Sequence, residues 1–496
     1  MIVTLLCLVI TVIGAPRWLR VAQREHYLPG TVTWTDQLWL SRSLVSALLV
    51  LPVLGAFAAG VLSSHWWFVA SAALAQATPV GLPYRGRTAK LAWTPRVRRL
   101  SIVLGLLVIL LGIWGPLFGA LTSLLLPTLV DAALYAINPL EKRLSNVFLV
   151  QAQQKVAKVR PTVVAITGSY GKTTTKNYLA HLLAGGHTVL ASPASFNNAM
   201  GLSRAVNEGL VPGTEIFVAE MGTYGPGEIK GLCEVFPPDV AVMTAIGEVH
   251  LQRMGNRDGV LAAKTEITEK ARAVVLNVDD DKLSGLATKL PGKQVVRCSI
   301  RDKKEDVAIV DGRLYVAGED LGEVNLPETV HPTNAACAVG AVVALGDDPR
   351  LVVKRLASLP TVAHRLEPIE QPGGSWILDD TYNSNPAGAA EAVRRAVVLA
   401  QRSGGRVHVV TPGMVELGNV QRLRNAELGK AVKDAGASTL VVVGTTNRSA
   451  LKKGASGGST DVVCVRTRPE AVALVEQRSA VGDVVLFEND LPDHYP

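Results

Sequence analysis

The sequence predicts an α/β protein preceded by a helical membrane region. Residues 1 to 137 are largely apolar and lift the hydrophobic share of this 496-residue chain to 48%, while the remainder has ordinary globular composition. Residues 163 to 167 (VVAIT) are a short β-branched run of the kind buried in parallel sheets. A glycine turn, residues 168 to 171 (GSYG), and a segment with helical spacing, KTTTKNYLAHLLA, follow directly. Strand, glycine turn and helix in that order mark one unit of a parallel sheet. The chain is long enough for about three units at roughly 150 residues each.

The apolar region reads in order. Residues 1 to 15 (MIVTLLCLVITVIGA) precede Arg17, Arg20 and Arg24. A signal peptide carries its charge before the apolar stretch, so the reversed order reads as a short membrane anchor with its N-terminus outside. The run is shorter than the usual ~20 residues, so a peripheral hydrophobic helix stays open as the other reading. Residues 43 to 62 are long enough to span, and residues 65 to 83 form a weaker span opened by His65, Trp66 and Trp67. Residues 84 to 99 hold six Lys or Arg and no acid, which makes this loop cytoplasmic by the positive-inside rule. Residues 100 to 137 fit two tight spans broken at Gly115-Pro116, giving about five spans and returning the chain to the cytoplasm. Residues 138 to 160 read as a basic, amphipathic juxtamembrane helix.

Net charge is +8, and many of the positive charges lie in short loops between apolar runs. They are topology signals, not a nucleic-acid surface. The five cysteines form no CxxC pair, so neither a zinc site nor a disulfide framework is indicated, in keeping with a reducing compartment.

The turn at 168 to 171 has the context of a phosphate-binding loop. Backbone N–H groups of Gly168, Ser169, Gly171 and the helix start are placed to hold phosphates, helped by the helix dipole. Lys172 reaches the phosphates, and the hydroxyls of Thr173 and Thr174 lie beside them, with Thr173 on Mg²⁺. The general motif has a glycine five residues before Gly171, but here that position is Ile166.

The shortened pattern TGxxGKTT resembles the loop of the Mur ligase family and its folylpolyglutamate synthetase relatives, which join a carboxylate to an amine through an acyl phosphate made with ATP. Further segments resemble the family's D-alanyl-D-alanine-adding branch in order and rough spacing, from about residue 161 to 425. They are SFNNAMGLSRAV, VAEMGTYGPGEIKGLC, TAIGEVHLQRMGNRDGVLAAKTEI, VVLNVDDDKL, ETVHPTNAACAV, AHRLEPI and DDTYNSNPAG. The resemblance implies a central ATPase domain over 161–360 and a Rossmann-like C-terminal domain over 361–496. It assigns Glu220 and Thr173 to one Mg²⁺, His250 to a second, and Lys264 to a carbamate ligand made with CO₂. It places Asn334 and His331 near adenine, Arg365 on the γ-phosphate, and Asp380 at the nucleotide. Asn197, Asn198, Tyr382, Asn383 and Asn385 fall in its substrate-side motifs. Taken alone, several of these have plainer readings: a helix cap for Glu220, a loop histidine for His250, a solvated lysine for Lys264 and a surface ion pair for Arg365.

The match also departs from the family. Membrane spans stand where it has a sugar-nucleotide domain, Thr244 replaces an Asn, and Thr265 follows Lys264 in place of Gly. The chain ends VVLFENDLPDHYP where the branch has a KGSRGMR-like motif. The expected function is a multi-pass membrane ligase of envelope synthesis with cytoplasmic catalytic domains. It would use ATP and two Mg²⁺, a lipid-linked or polymeric carboxylate, and an amino acid or dipeptide amine. The rivals are the D-alanyl-D-alanine ligase activity itself on the UDP-linked precursor, a poly-γ-glutamate synthase-like ligase, a transporter ATPase subunit, and an ATP-binding scaffold without activity.

Overall fold

A computed structural model describes residues 1–84, 90–361, 366–381, 384–491 and 495. The chain divides into two compact units, one formed mainly by residues 1–144 and the other mainly by residues 145–490.

The first unit is helical, with helices Ile2–Arg24, Thr31–Arg42, Leu44–Leu62, Trp66–Ala77, Pro95–Gly112 and Pro116–Leu124 and the start of Leu126–Val159. Asp131 is 5% exposed because it caps a neighbouring helix: its carboxylate accepts the N–H groups of Gly30 and Thr33, each at 2.8 Å. Among the described residues, two helices are long and apolar enough to cross a membrane, Ile2–Arg24 and Leu44–Leu62. A third arises only if Pro116–Leu124 and Leu126–Val159, bent by 81°, count as one broken span. Length and charge set these apart from the other apolar helices. Trp66–Ala77 has 12 residues, roughly 18 Å of helix against a ~30 Å hydrocarbon core. Helix Pro95–Gly112 opens with Arg96, Arg98 and Arg99, residues expected in a loop. The anchor expected over 1 to 15 continues through Pro16 to Arg24 and buries Arg17 and Arg20. The expected break at Gly115-Pro116 is present: Gly115 has φ +122°, and Pro116 starts the next helix. The juxtamembrane helix begins at Leu126, earlier than expected, and ends at Val159.

The second unit holds two sheets, each the centre of a lobe. In the first lobe, β1 (Thr162–Thr167), β2 (Val189–Ala191), β3 (Ile216–Glu220), β4 (Val240–Met243), β5 (Ala273–Asn277), β6 (Gln294–Ser299), β7 (Val307–Val310), β8 (Arg313–Val316) and β9 (Glu319–Glu323) pair in the order β2-β3-β1-β4-β5-β6-β7-β8-β9. Pairing is parallel from β2 to β7 and antiparallel between β7, β8 and β9. The β7–β8 hairpin turns at Asp311 and Gly312, with φ +48° and +71°, the positive pair that a two-residue turn requires. Both faces of the parallel strands are covered. Val164 and Ile166 join the core under helices Lys172–Leu183 and Pro332–Leu345, while Val163 and Ala165 point into the opposite core.

In the second lobe, β10 (Glu367–Glu370), β11 (Trp376–Asp380), β12 (Val407–Thr411), β13 (Thr439–Val443), β14 (Asp461–Val465) and β15 (Val484–Glu488) pair as β10-β11-β15-β12-β13-β14, parallel except at β10. This is the mostly parallel α/β sheet expected of the C-terminal part, with apolar cores on both faces, although its strand order differs from the 3-2-1-4-5-6 of the Rossmann fold.

Helix Pro332–Leu345 packs so closely on β5 and β6 that a Cβ on Gly340 would lie 2.4 Å from Cys298 Sγ and 2.7 Å from Val275 Cγ1. Gly340→Ala is expected to cost about 1–3 kcal/mol by overpacking, read as a lower urea midpoint; an unchanged midpoint would show that the contact relaxes freely.

Candidate active site

The C-terminal ends of β3, β1 and β4 lie side by side, where open α/β sheets bind ligands. The turn after β1 is crowded from two directions. A Cβ on Gly168 would lie 2.0 Å from Thr244 Oγ1, and one on Gly171, whose φ is +80°, would lie 2.4 Å from Asn334 Oδ1. Thr244 donates its hydroxyl to Tyr170 O. Gly247 N donates to Ser169 Oγ at 2.8 Å. The loop after β4 thus holds the turn in shape. Lys172 Nζ folds back to Gly168 O at 2.9 Å. Thr173 and Thr174 occupy the first turn of helix Lys172–Leu183. Thr167 Oγ1 is buried at the foot of the turn with no hydrogen-bond partner.

Asn334 sits one turn into helix Pro332–Leu345, where its Oδ1 accepts from Thr175 Oγ1 at 3.4 Å. His331 caps that helix, its Nδ1 accepting from Thr333 N at 3.3 Å. Burial, reinforced by Arg395, lowers the His331 pKa and favours a neutral ring. A cavity of about 600 Å³ opens here, lined by Tyr170, Asp280, His331, Asn334, Asp380 and Arg395 among others. Both lobes contribute, and the volume suits a nucleotide.

Glu220 ends β3 and is 1% exposed. Its Oε1 accepts from Asn197 Nδ2 at 3.3 Å, and its Oε2 lies 3.4 Å from Lys176 Nζ. Lys176 is equally buried and also donates to Ala194 O. Burial lowers the Lys176 pKa, and Glu220 partly restores it. Lys264, on helix Arg257–Thr265, is 2% exposed. Burial, with added repulsion from Lys172, holds its pKa well below the usual lysine range. The solvated-lysine reading of this residue is therefore wrong. His250 takes a left-handed φ of +52° after β4, and its Nδ1 lies 2.5 Å from Glu416 Oε2 of the C-terminal lobe.

Asn198 and Asn385 hold helix starts: Asn198 Oδ1 accepts from Gly201 N at 2.9 Å, and Asn385 Oδ1 from Gly388 N at 3.0 Å. Asp380 ends β11 in register with Glu488 at the end of β15. Arg365, Tyr382 and Asn383 lie outside the described residues. Among the described residues, no three His, Cys, Asp or Glu side chains gather as a metal cluster.

Sequence reasoning missed four groups at this site. Lys176 looked like one more polar residue in a helix, although its i+4 spacing from Lys172 puts it on the same helix face. Glu416 and Arg424 meet the first lobe from more than 160 residues away. Arg394 and Arg395 line the cavity. Glu488 is fully buried and accepts from Ser384 Oγ and Thr411 Oγ1.

Comparison with known proteins agrees with this geometry. The profile of the Mur ligase middle domain matches residues 166–330, and that of the Mur ligase glutamate ligase domain matches residues 364–488. The chain is 30% identical over 370 residues to UDP-N-acetylmuramoyl-tripeptide–D-alanyl-D-alanine ligase of Mycobacterium tuberculosis (strain ATCC 25618 / H37Rv), covering 66% of this chain and 70% of that protein. It is 28% identical over 333 residues to the Bacillus subtilis (strain 168) enzyme of the same name, covering 66% and 72%. The crystal structure of MurF from Acinetobacter baumannii superposes with a TM-score of 0.60 at 26% identity, over 70% of this chain and 77% of that one. MurF ligase from Thermotoga maritima in complex with ADP gives 0.59 at 27% identity, over 70% and 80%.

Burial pushes the Glu488 carboxyl up to about 7, against the pull of Ser384 and Thr411 and with the help of Asp380. A raised folded-state pKa stabilises the fold below the ordinary carboxyl pKa of 4.5. That contribution is lost as pH rises to about 7. Stability is expected to decline between about pH 5 and about pH 7.5, and Glu488→Gln to flatten the decline. Parallel profiles for the two proteins would contradict this.

Proposed function

Because the chain belongs to the Mur ligase family, whose members are ATP-dependent, ADP-forming amide ligases, we propose that it adds an amino acid or dipeptide to a peptide carboxylate in peptidoglycan synthesis. The observation that carries this reading is the crowded phosphate turn, with Lys172, buried Glu220 and buried low-pKa Lys264 around it, beside a cavity shared by two lobes.

The residues fit ATP. The glycine cradle keeps its backbone open to phosphate, the helix Lys172–Leu183 points its N-terminus there, and the buried Thr167 hydroxyl lacks a partner. They also fit Mg²⁺, since Glu220 is a buried carboxylate whose two contacts are both long. Thr173 and Glu220 would hold one ion, and His250 and Lys264 a second. Mg²⁺, when bound, supplies charge neutralisation on the phosphates. The low pKa of Lys264 supports a carbamate: the neutral amine attacks CO₂, an N–C bond forms and a proton leaves. A neutral amine would thereby become an anion able to face Mg²⁺.

The acceptor carboxylate attacks the γ-phosphorus, the bond to ADP breaks, and an acyl phosphate forms. Lys172 and, on the family pattern, Arg365 offset the charge on the transferred group. The amine then attacks the acyl carbon, and phosphate leaves with the C–O electron pair. Water excluded between the lobes protects the acyl phosphate.

A second reading concerns the acceptor. The two long apolar helices favour a multi-pass place at a membrane with the catalytic lobes in the cytoplasm and a lipid-linked or polymeric carboxylate. ADP release separates the readings, measured in detergent with UDP-N-acetylmuramoyl-tripeptide and D-alanyl-D-alanine, each alone and together. Release only with both assigns the soluble precursor. No release from protein that binds ATP excludes that precursor pair and turns the search to lipid-linked acceptors with a panel of amino acids. Release with neither indicates a transport-type ATPase.

Lys264→Ala is expected to lower the rate by roughly 10²-fold or more, as when a preorganised electrostatic group is removed. Short-chain carboxylates are expected to restore part of it. Full activity in the variant would remove the carbamate.

A further inference from the structure

The ring of His250 is located by three elements. Its Nδ1 lies 2.5 Å from Glu416 Oε2. It packs edge-to-face with the ring of Tyr224, centroids 4.9 Å apart and planes at 63°, and Tyr224 lies in the loop after Glu220. Its backbone starts helix Leu251–Met254, whose Gln252 N donates to Glu416 O at 3.1 Å. Two residues away, Glu248 takes Arg424 of the C-terminal lobe in a bidentate pair, at 2.5 and 2.7 Å. Gly418 closes against the same stretch: a Cβ there would lie 3.4 Å from Gln252 N.

A surface ion pair alone would leave this arrangement unexplained. His250 and Glu416 are both non-glycine residues in the left-handed region, at φ +52° and +63°, and they face each other. Such backbones persist where the surroundings over-determine them, and they gather at functional sites. A carboxylate on Nδ1 makes that nitrogen the donor and leaves the lone pair on Nε2. This is how a metal-binding imidazole is oriented from behind.

We propose that Glu416 is the positioning residue for His250, so that the second metal site is complete only while the C-terminal lobe is seated on residues 248–252. The proposal rests on the ligase reading above, in which His250 is a metal ligand. It links lobe closure to metal binding: an open lobe carries Glu416 away, the ring loses its fixed tautomer, and the acyl phosphate cannot form before water is excluded.

The test counts Mn²⁺ bound to the full-length protein in detergent with a non-hydrolysable ATP analogue, by electron paramagnetic resonance. Wild type is expected to bind two ions and Glu416→Leu one, with nucleotide affinity kept. Glu416→Gln is expected to return the count to two, because the amide oxygen still accepts from Nδ1–H. Two ions in both wild type and Glu416→Leu would overturn the positioning role while leaving the two-metal reading intact. One ion in wild type would overturn the two-metal reading, and this proposal with it.

Discussion

The close approach at the turn after β1 is the constraint on which the second unit depends. Gly168 and Gly171 have room for no side chain, because Thr244 and Asn334 stand where a Cβ would be. Thr244 comes from the end of β4, and Asn334 from the helix that also fills the core under β5 and β6. A backbone pressed from both sides keeps its N–H groups directed at one small volume. The order β3-β1-β4 then brings Glu220 to one flank of the turn and the loop leading to His250 to the other.

Charge completes the site. Lys172, Lys176 and Lys264 lie around the turn with Glu220 among them, and three of these four groups are almost wholly buried. Buried cations are costly unless paired, and Lys176 is paired with Glu220. Lys264 lowers its charge through its depressed pKa. An incoming triphosphate supplies the anions that this cluster lacks. The C-terminal lobe adds Arg394 and Arg395 to the cavity and Glu416 to His250, so neither lobe makes the site alone.

Much of this was legible in the chain. The run VVAIT, the glycine turn and the lysine after it fix β1 and its helix through local spacing alone. In the sequence Asn198 and Asn385 read only as substrate-side residues of the family motifs; both cap helices, a role that the glycine three residues after each could have signalled. Hydropathy reads about five spans, whereas two described helices, or three with the bent pair, also have the length and low charge of a membrane crossing. Trp66–Ala77 is apolar but short, and Pro95–Gly112 opens on arginines. Glu416 and Arg424 were not legible as partners of the first lobe, since contacts across 166 and 176 residues leave no local signature. Lys264 was readable only through family resemblance, because helix spacing does not tell a solvated lysine from a buried one.

In the proposed reaction ATP is spent on the acceptor carboxylate, not on motion or on water. The most direct measurement follows oxygen: an acceptor labelled with ¹⁸O in its carboxylate is turned over, and the released phosphate is weighed. An acyl-phosphate ligase transfers one ¹⁸O from carboxylate to phosphate in every turnover. Phosphate that carries oxygen from solvent water and none from the carboxylate would contradict the account.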